Sequence, residues 1–308
     1  VGRIIFLLRG DKMPAAITHY LHARRVWEAW RKKDSALVLN EHAFIWGAQG
    51  PDFLFSHRYL PWQKGESLEP LGGRLHEEPP SRTLEALWRN IPSGEHAELL
   101  RSYVYGFVCH YVLDRRCHPF IEWEARALLA KEPEQTEDIF HNQVESALDV
   151  ITLRYEKGAL PTEFSLKKTV PGDVPVQHGI AALYRAVLAE LFGLNKTEAQ
   201  LFQATQDCRK IFGLLTDRTG LKKSLVERFE RRKKRRVISC HMRGMLEEDV
   251  DYANLQQAEW RWPPEDGPVK TASFFELYES AVPEALAMIE QLPGCTDFER
   301  LTQNIPFD

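Results

Sequence analysis

Apolar residues recur at helical spacing along most of this chain. Near the start of the chain they lie one to five residues apart, with basic residues between them, at Ile17, Leu21, Val26, Trp27 and Trp30. This spacing places them along one face of an α-helix. No stretch of useful length alternates apolar and polar residues as a strand would, and the chain carries neither repeats nor a low-complexity tract. The pattern predicts an all-α fold of packed helices.

The same periodicity predicts ten helices, at residues 15–33, 37–46, 81–90, 95–116, 122–131, 136–155, 178–192, 196–215, 221–235 and 273–291. Proline, glycine and charged residues interrupt it, so residues 56–80 are expected to form a long loop, residues 158–176 a connection, and residues 254–271 an irregular segment. The fourth helix is expected to stop near Pro119, because proline lacks the N–H that a helix interior needs.

The length allows one large domain or two ordinary ones, and the charge predicts no specific nucleic-acid partner. The chain has 308 residues, 44% hydrophobic and 27% charged, with a net charge of -4. This charge argues against a polyanionic partner. Met13-Pro14 is a natural start, so residues 1–12 are interpreted as an extension that need not be native. Residues 13–308 are expected to form one all-helical domain, with the chemistry in residues 13–155 and supporting helices in residues 156–308.

Cysteine usage and the absence of targeting signals indicate the cytoplasm. The five cysteines are an odd number at wide spacing, without a CxxC pair, which favours a reducing compartment over a disulfide framework. We find no convincing secretory signal and no apolar run of the ~20 residues that span a membrane. Cys109 and Cys117 flank histidines, but we interpret them as buried apolar side chains and not as metal ligands.

The strongest chemical signal is a run of metal-binding residue types at helical spacing. His110, Asp114 and His118 lie four residues apart, and so do His141 and Glu145. Residues i and i+4 share one face of a helix. Imidazole nitrogens and carboxylate oxygens are ligands that zinc prefers, and several on neighbouring helices suit a site with more than one ion. We favour this interpretation over surface or capping roles.

Four motifs carry a resemblance to a known family. They are Met13-Pro-Ala-Ala-Ile-Thr-His19-Tyr, Gly47-Ala-Gln-Gly-Pro-Asp52, Gly106-Phe-x-x-His-Tyr-x-x-Asp-x-x-x-His-Pro119 and His141-x-x-x-Glu145. In this order they resemble the signature of the zinc-dependent phospholipase C family, whose superfamily also includes single-strand nucleases. The resemblance covers about residues 13–155. It implies a helical bundle around a polynuclear metal cleft.

The resemblance also implies a set of ligands for two or three zinc ions. One ion would be held by Asp52, His110, a bridging Asp114 and a further histidine. That histidine is expected to be His76, with His57 as the alternative and His96 as a third choice. A second ion would be held by His118, His141 and Glu145, and a third by His19 with Asp114. Asp52 would also act in catalysis, orienting the attacking water or taking its proton.

The predicted function is zinc-dependent hydrolysis of a phospholipid or related phosphodiester. Two alternatives stay open: a nuclease or nucleotidase of the same superfamily, and a non-catalytic helical module stabilised by metal. The basic run at residues 231–236 has two interpretations. A solvated helix end is favoured, and attraction to anionic lipid headgroups, which would give peripheral membrane contact, is the other.

Overall fold

A computed structural model of the chain describes residues 15–33, 39–60, 62–94, 96–231, 236–244 and 250–307. Within these ranges the chain forms α1 Ala16–Lys33, α2 Glu41–Gly47, α3 Glu69–Glu77, α4 Pro80–Arg89, α5 Ala97–Lys131, α6 Glu137–Lys157, α7 Val174–Phe192, α8 Glu198–Leu215, α9 Leu221–Arg231, α10 Phe274–Gln291 and α11 Phe298–Thr302. Two short strands, β1 Trp260–Arg261 and β2 Val269–Lys270, pair antiparallel. The predicted all-α class is confirmed. The predictions for residues 1–12, Met13 and most of the basic run concern residues outside the described ranges.

Helix α5 is the central element of the fold. It has 35 residues, so it is about 52 Å long at 1.5 Å per residue. Helices α1, α2, α4, α6, α7 and α10 all pack against it. The prediction that a helix stops near Pro119 was wrong, because α5 continues through this proline and includes the segment predicted as a separate helix. Apolar packing on both sides of Pro119 outweighs the loss of one backbone hydrogen bond.

Two other predicted boundaries were wrong. Residues 56–80 are not one long loop, because they contain α3. Gly72 and Gly73 resemble helix breakers in the sequence, but Gly72 lies against the ring of Phe55 and lets α3 pack there. Helix α2 begins at Glu41, after an Asn40 cap, so Leu39 and Asn40, which were predicted to be helical, precede it; residues 37 and 38 lie outside the described ranges. Helix α11, near the end of the chain, was not predicted at all.

Side-chain caps mark several of the helix starts. Thr197 and Ser273 each accept a hydrogen bond from the backbone N–H three residues later, in the capping-box arrangement. Asp173 accepts a hydrogen bond from the backbone N–H of Val176, so α7 begins at Val174, four residues before its predicted start. At the other end of two helices, Gly158 and Gly193 adopt left-handed conformations that terminate α6 and α7.

Glycines allow α2 and α5 to approach closely. A Cβ added at Gly47 would lie 2.0 Å from the carbonyl oxygen of Tyr103, and one at Gly106 would lie 2.0 Å from that of Phe44. The two backbones are therefore in contact, with no room for larger side chains. This contact fixes the turn after α2 against the middle of α5.

One hydrophobic core runs through the described ranges, from Ala16 to Phe307. All five cysteines are free thiols, and Cys109 and Cys117 lie buried in this core. Burial raises the pKa of both thiols well above the ordinary value. In the described part of the chain, no helix combines the length and apolar character needed to span a bilayer.

Candidate metal centre

Three groups of potential metal ligands meet on the inner face of α5. They are His19 with His110 and Asp114, Asp52 with His76 and His110, and His118 with His141 and Glu145. Within each group the donor atoms lie within 4.8 Å of one another. Helix α5 supplies three of these residues, α6 supplies two, α1 and α3 supply one each, and Asp52 lies in the turn after α2. All eight residues predicted from the sequence are thus brought together.

Asp114 connects the groups. Its Oδ1 lies 3.1 Å from Nε2 of His19 and 3.5 Å from Nε2 of His118. Its Oδ2 lies 3.1 Å from Nε2 of His110. A carboxylate with histidines on both oxygens is placed to bridge two cations.

A carboxylate orients His141 within the third group. Nδ1 of His141 donates a hydrogen bond to Oε1 of Glu122 at 2.8 Å, so Nε2 faces Oε1 of Glu145 at 3.3 Å. His118 completes the group, with Nε2 3.7 Å from the same oxygen of Glu145. A carboxylate behind a histidine is typical of zinc sites, because it fixes the ring and raises its basicity.

His76 is oriented in a similar way beside Asp52. Its Nδ1 donates to the carbonyl oxygen of Gly72 at 2.9 Å, and its Nε2 lies 3.2 Å from Oδ1 of Asp52. Nδ1 of His110 lies 4.0 Å from the other oxygen of Asp52. Gly50, with a φ of +50°, is required in this turn, because a Cβ there would lie 2.1 Å from the ring of His110.

The alternative histidines lie apart from these groups. His57 is buried, and its Nδ1 accepts a hydrogen bond from the backbone N–H of Leu68. Burial lowers the pKa of His57 to about 4. His96 is exposed at the start of α5. The structure therefore places His76, and neither of the other two, next to Asp52.

The residues present fit zinc. Two ligands on one zinc ion, each at 2.0–2.1 Å and at a tetrahedral angle, lie about 3.3 Å apart, and the closest nitrogen–oxygen pairs here lie 3.1–3.3 Å apart. Several buried atoms that could bind a metal also have no hydrogen-bond partner among the described residues. They are Nδ1 of His19, both ring nitrogens of His110, Oδ2 of Asp114 and Oε2 of Glu145. Buried polar atoms are normally paired, so this cluster of unpaired donors indicates a cation.

The electrostatics of the centre also favour a cation. Burial opposes charge on Asp114 and Glu145, but the surrounding histidines hold the pKa of both carboxyls well below the ordinary range. Burial likewise opposes charge on His141, but Glu145 and Glu122 raise its pKa to about 9. Burial also opposes charge on His19, but Asp114 raises the pKa of His19. At His110 burial dominates and lowers the pKa to about 4. The buried negative charge thus has to be matched by protons or by metal.

Asp149 holds α1 in place at this centre. Its two carboxylate oxygens accept hydrogen bonds from the backbone N–H of Ile17 and from both the backbone N–H and the hydroxyl of Thr18. Arg243 pairs with the same carboxylate, which is fully buried. Because His19 follows Thr18 directly, these bonds fix where His19 enters the centre.

Sequence reasoning missed Glu122. Glu122 continues the series 110, 114 and 118 by a further four residues, so the same spacing could have identified it. A second buried histidine, His22, lies three residues after His19 on α1 and packs against the ring of Tyr278. Burial lowers the pKa of His22 to about 3.

A small cavity of about 10 Å³ adjoins the centre, which is about the volume that one water needs. It is lined by Ala15, Thr18, His19, Leu113, Asp114, Cys117, His118, Ile121, Glu145, Leu148 and Phe274. Among these described residues there is no lysine or arginine. Positive charge beside this cavity would therefore come from protonated histidines or from metal.

Comparison with known proteins identifies one family. Residues 18–194 match the family described as zinc dependent phospholipase C. The match covers α1 to α7 and so includes all eight candidate ligands. Comparisons with curated proteins and with solved structures gave no match.

Proposed function

This chain belongs to the zinc-dependent phospholipase C family, and we propose that it hydrolyses phosphodiesters, with phospholipids as the substrate class. The family and the donor clusters support a metal-dependent hydrolase. The phospholipid substrate and the individual ligand roles are our proposals.

The observation that carries this proposal is the position of Asp114 between the donor groups. Its Oδ1 lies 3.1 Å from Nε2 of His19 and 3.5 Å from Nε2 of His118, and its Oδ2 lies 3.1 Å from Nε2 of His110. A closed structural zinc site needs only four ligands, often cysteines. Three groups linked by one carboxylate suit a multi-ion catalytic site better than a structural one.

Each ion would be held by one of the three groups. Asp52, His76 and His110 would hold one, with Asp114 shared; His118, His141 and Glu145 would hold another; and His19 with Asp114 would hold a third. Zinc supplies such a site with water activation near neutral pH and with neutralisation of phosphoryl oxygens. The chain contributes the fixed positions of the donors, which avoid reorganisation during the reaction.

Asp52 is our candidate for handling the proton. Its side chain is almost fully buried, and its two oxygens face His76 and His110. A carboxylate in this position can accept a hydrogen bond from the attacking water, orient it towards phosphorus and receive its proton. Nδ1 of His76 is held by Gly72, so this imidazole cannot rotate away from Asp52 without losing a hydrogen bond.

The surroundings of the centre favour a lipid over a polynucleotide. Besides the candidate ligands, the water-sized cavity is bordered by apolar side chains such as Ile121, Leu148 and Phe274, and by no lysine or arginine among the described residues. Single-stranded nucleic acid needs a basic track and aromatic stacking surfaces. The net charge of -4 does not favour such a partner either.

The test combines metal analysis with a hydrolysis panel. Purified protein should contain two or three zinc ions per chain and should cleave phosphatidylcholine or phosphatidylinositol vesicles as well as bis-p-nitrophenyl phosphate. Single-stranded DNA should be cleaved poorly. Cleavage of DNA without cleavage of lipid would instead assign the chain to the nuclease branch.

Asp114→Asn should remove both zinc and activity, because one bridging oxygen is replaced by an amide nitrogen. Asp173→Asn is the matched control, because Asp173 caps α7 far along the chain and asparagine caps equally well. Full zinc content and full activity in the Asp114 variant would refute the proposed function.

A further inference from the structure

The last described residues of the chain form a strap across the centre. After α11, Gln303 and Asn304 both adopt left-handed conformations, with φ of 54° and 48°. The chain thereby reverses, and residues 303–307, here called the C-terminal strap, run back towards α5. The strap ends on Phe307, which is fully buried.

Side chains of α5 and the start of α4 fasten the strap. The hydroxyl of Tyr111 lies 2.8 Å from the carbonyl oxygen of Ile305 and 3.1 Å from that of Thr302. Arg115 donates to the same Thr302 oxygen at 3.2 Å. The backbone N–H of Ser81 donates to the side-chain oxygen of Asn304 at 3.1 Å. These bonds join the strap to the helix that carries His110 and Asp114.

Phe307 packs on two candidate metal ligands. Its ring centroid lies 5.1 Å from that of His76 and 6.0 Å from that of His110. Phe55 stacks on His76 from another side, at 5.7 Å and an interplanar angle of 25°. His76 thus lies between two phenyl rings, one from the turn after α2 and one from the strap.

We propose that Phe307 is a positioning residue for the Asp52–His76–His110 group, an inference that rests on the metal-binding part of the proposed function. The hydrogen bond to Gly72 selects the tautomer of His76, and the two phenyl rings hold its side chain towards Asp52. A ring whose orientation is fixed before metal arrives loses less conformational freedom on binding. The strap also keeps water from this side of the group, which strengthens electrostatic interactions inside it.

The test is titration of the metal-free protein with cobalt(II), followed by visible absorption, with zinc content measured in parallel. Phe307→Ala should weaken one class of cobalt sites about tenfold or more, in the range seen when supporting residues of metal ligands are removed. Phe307→Leu, which keeps most of the buried volume, should fall between wild type and Phe307→Ala. Circular dichroism checks folding, and the leucine variant serves if the alanine variant does not fold.

Two controls separate positioning from general packing. Phe298→Ala removes another buried phenylalanine from the same end of the chain, in α11, and should leave the cobalt affinities unchanged. In a His76→Ala background, the additional change Phe307→Ala should cause a smaller loss of affinity than it does in the wild type, because part of its effect passes through His76 and only the contact with His110 is left.

The outcomes distinguish this inference from the proposed function. Unchanged cobalt affinities in folded Phe307→Ala, or an equal further loss in the His76→Ala background, would overturn the positioning role alone. A wild-type protein that binds cobalt and zinc but hydrolyses no phosphodiester would overturn the proposed function and leave the positioning role standing. A wild-type protein that binds neither metal would overturn both.

Discussion

Glu122 shows how a single residue outside the ligand set can tune a metal centre. Its carboxylate accepts the Nδ1 hydrogen bond of His141 and so holds Nε2 towards Glu145. Both carboxylates stabilise the protonated imidazole in the metal-free chain, where the pKa of His141 is raised to about 9. Metal must displace that proton, so its affinity should weaken as the pH falls.

Replacing Glu122 with glutamine should weaken zinc binding by about 10- to 100-fold, because the amide is a poorer acceptor for the His141 N–H. Competition with a chromophoric chelator measures the affinity. Glu98→Gln, an exposed change on the same helix, is the control. Equal affinities for wild type and Glu122→Gln would show that Glu122 does not support His141.

His57 provides a prediction about acid stability. Its folded-state pKa of about 4 lies below the ordinary 6.5, because the ring is buried. Between these values the unfolded chain binds the extra proton and the folded chain does not, so the free energy of unfolding decreases as the pH falls. Above pH 6.5 the ring is neutral in both states, and the free energy of unfolding no longer changes through His57. Below pH 6.5 it decreases with a slope that approaches about 1.4 kcal/mol per pH unit.

His57→Asn should reduce this pH dependence, because the asparagine oxygen can accept the Leu68 N–H without titrating, while other buried histidines such as His22 still contribute. Urea unfolding at pH 7.5, 6 and 5 measures the effect. The exposed His178→Asn change is the control. Parallel curves for wild type and His57→Asn would show that another group causes the acid sensitivity.

At the scale of elements, the contact between α2 and α5 determines where the ligands of two segments meet. Asp52 lies five residues after the end of α2, and His110 lies one turn after Gly106 on α5. Because Gly47 and Gly106 let the two backbones touch, the Asp52 turn reaches the ring of His110. The helix packing therefore assembles part of the centre.

Gly106→Ala should destabilise the fold by roughly 3 kcal/mol, the upper part of the usual range for overpacking, because its Cβ would overlap the backbone carbonyl of Phe44. Gly73→Ala in α3 is the matched control. Its Cβ would meet nothing within 4 Å, so helix propensity should stabilise the fold by about 0.5–1 kcal/mol. Thermal unfolding compares the two, and a Gly106 variant as stable as wild type would mean that the helices can separate.

At the scale of the whole molecule, the metal centre should contribute to stability because its ligands come from distant parts of the chain. The candidate ligands, of which His19 is the first in the chain and Glu145 the last, converge there. Asp149 and Arg243 join α1 to later segments. A cation that binds only the folded state stabilises it by mass action, by about 2.7 kcal/mol when it is present at 100 times its Kd.

Removal of zinc by a chelator should therefore lower the melting temperature by several degrees, and added zinc should restore it. Differential scanning calorimetry measures both. Asp114→Asn should abolish the response to zinc, whereas Asp173→Asn should retain it. A melting temperature that does not depend on zinc would argue against ligands that bind only in the folded chain.

The sequence by itself determined the all-α class and the ligand pairs spaced by four residues, such as His110 with Asp114 and His141 with Glu145. Both follow from local periodicity, since one helical turn places such residues on the same face. It also indicated the family, which the comparison then supported over residues 18–194.

Only the tertiary structure decided which residues surround these pairs. The place of His76 beside Asp52, the bonds of Asp149 to α1 and the position of Phe307 on His76 all join segments far apart in the chain. The continuation of α5 through Pro119 was decided in the same way. Local rules describe each segment alone, whereas burial and packing energies depend on how segments meet, and these energies outweigh local preference.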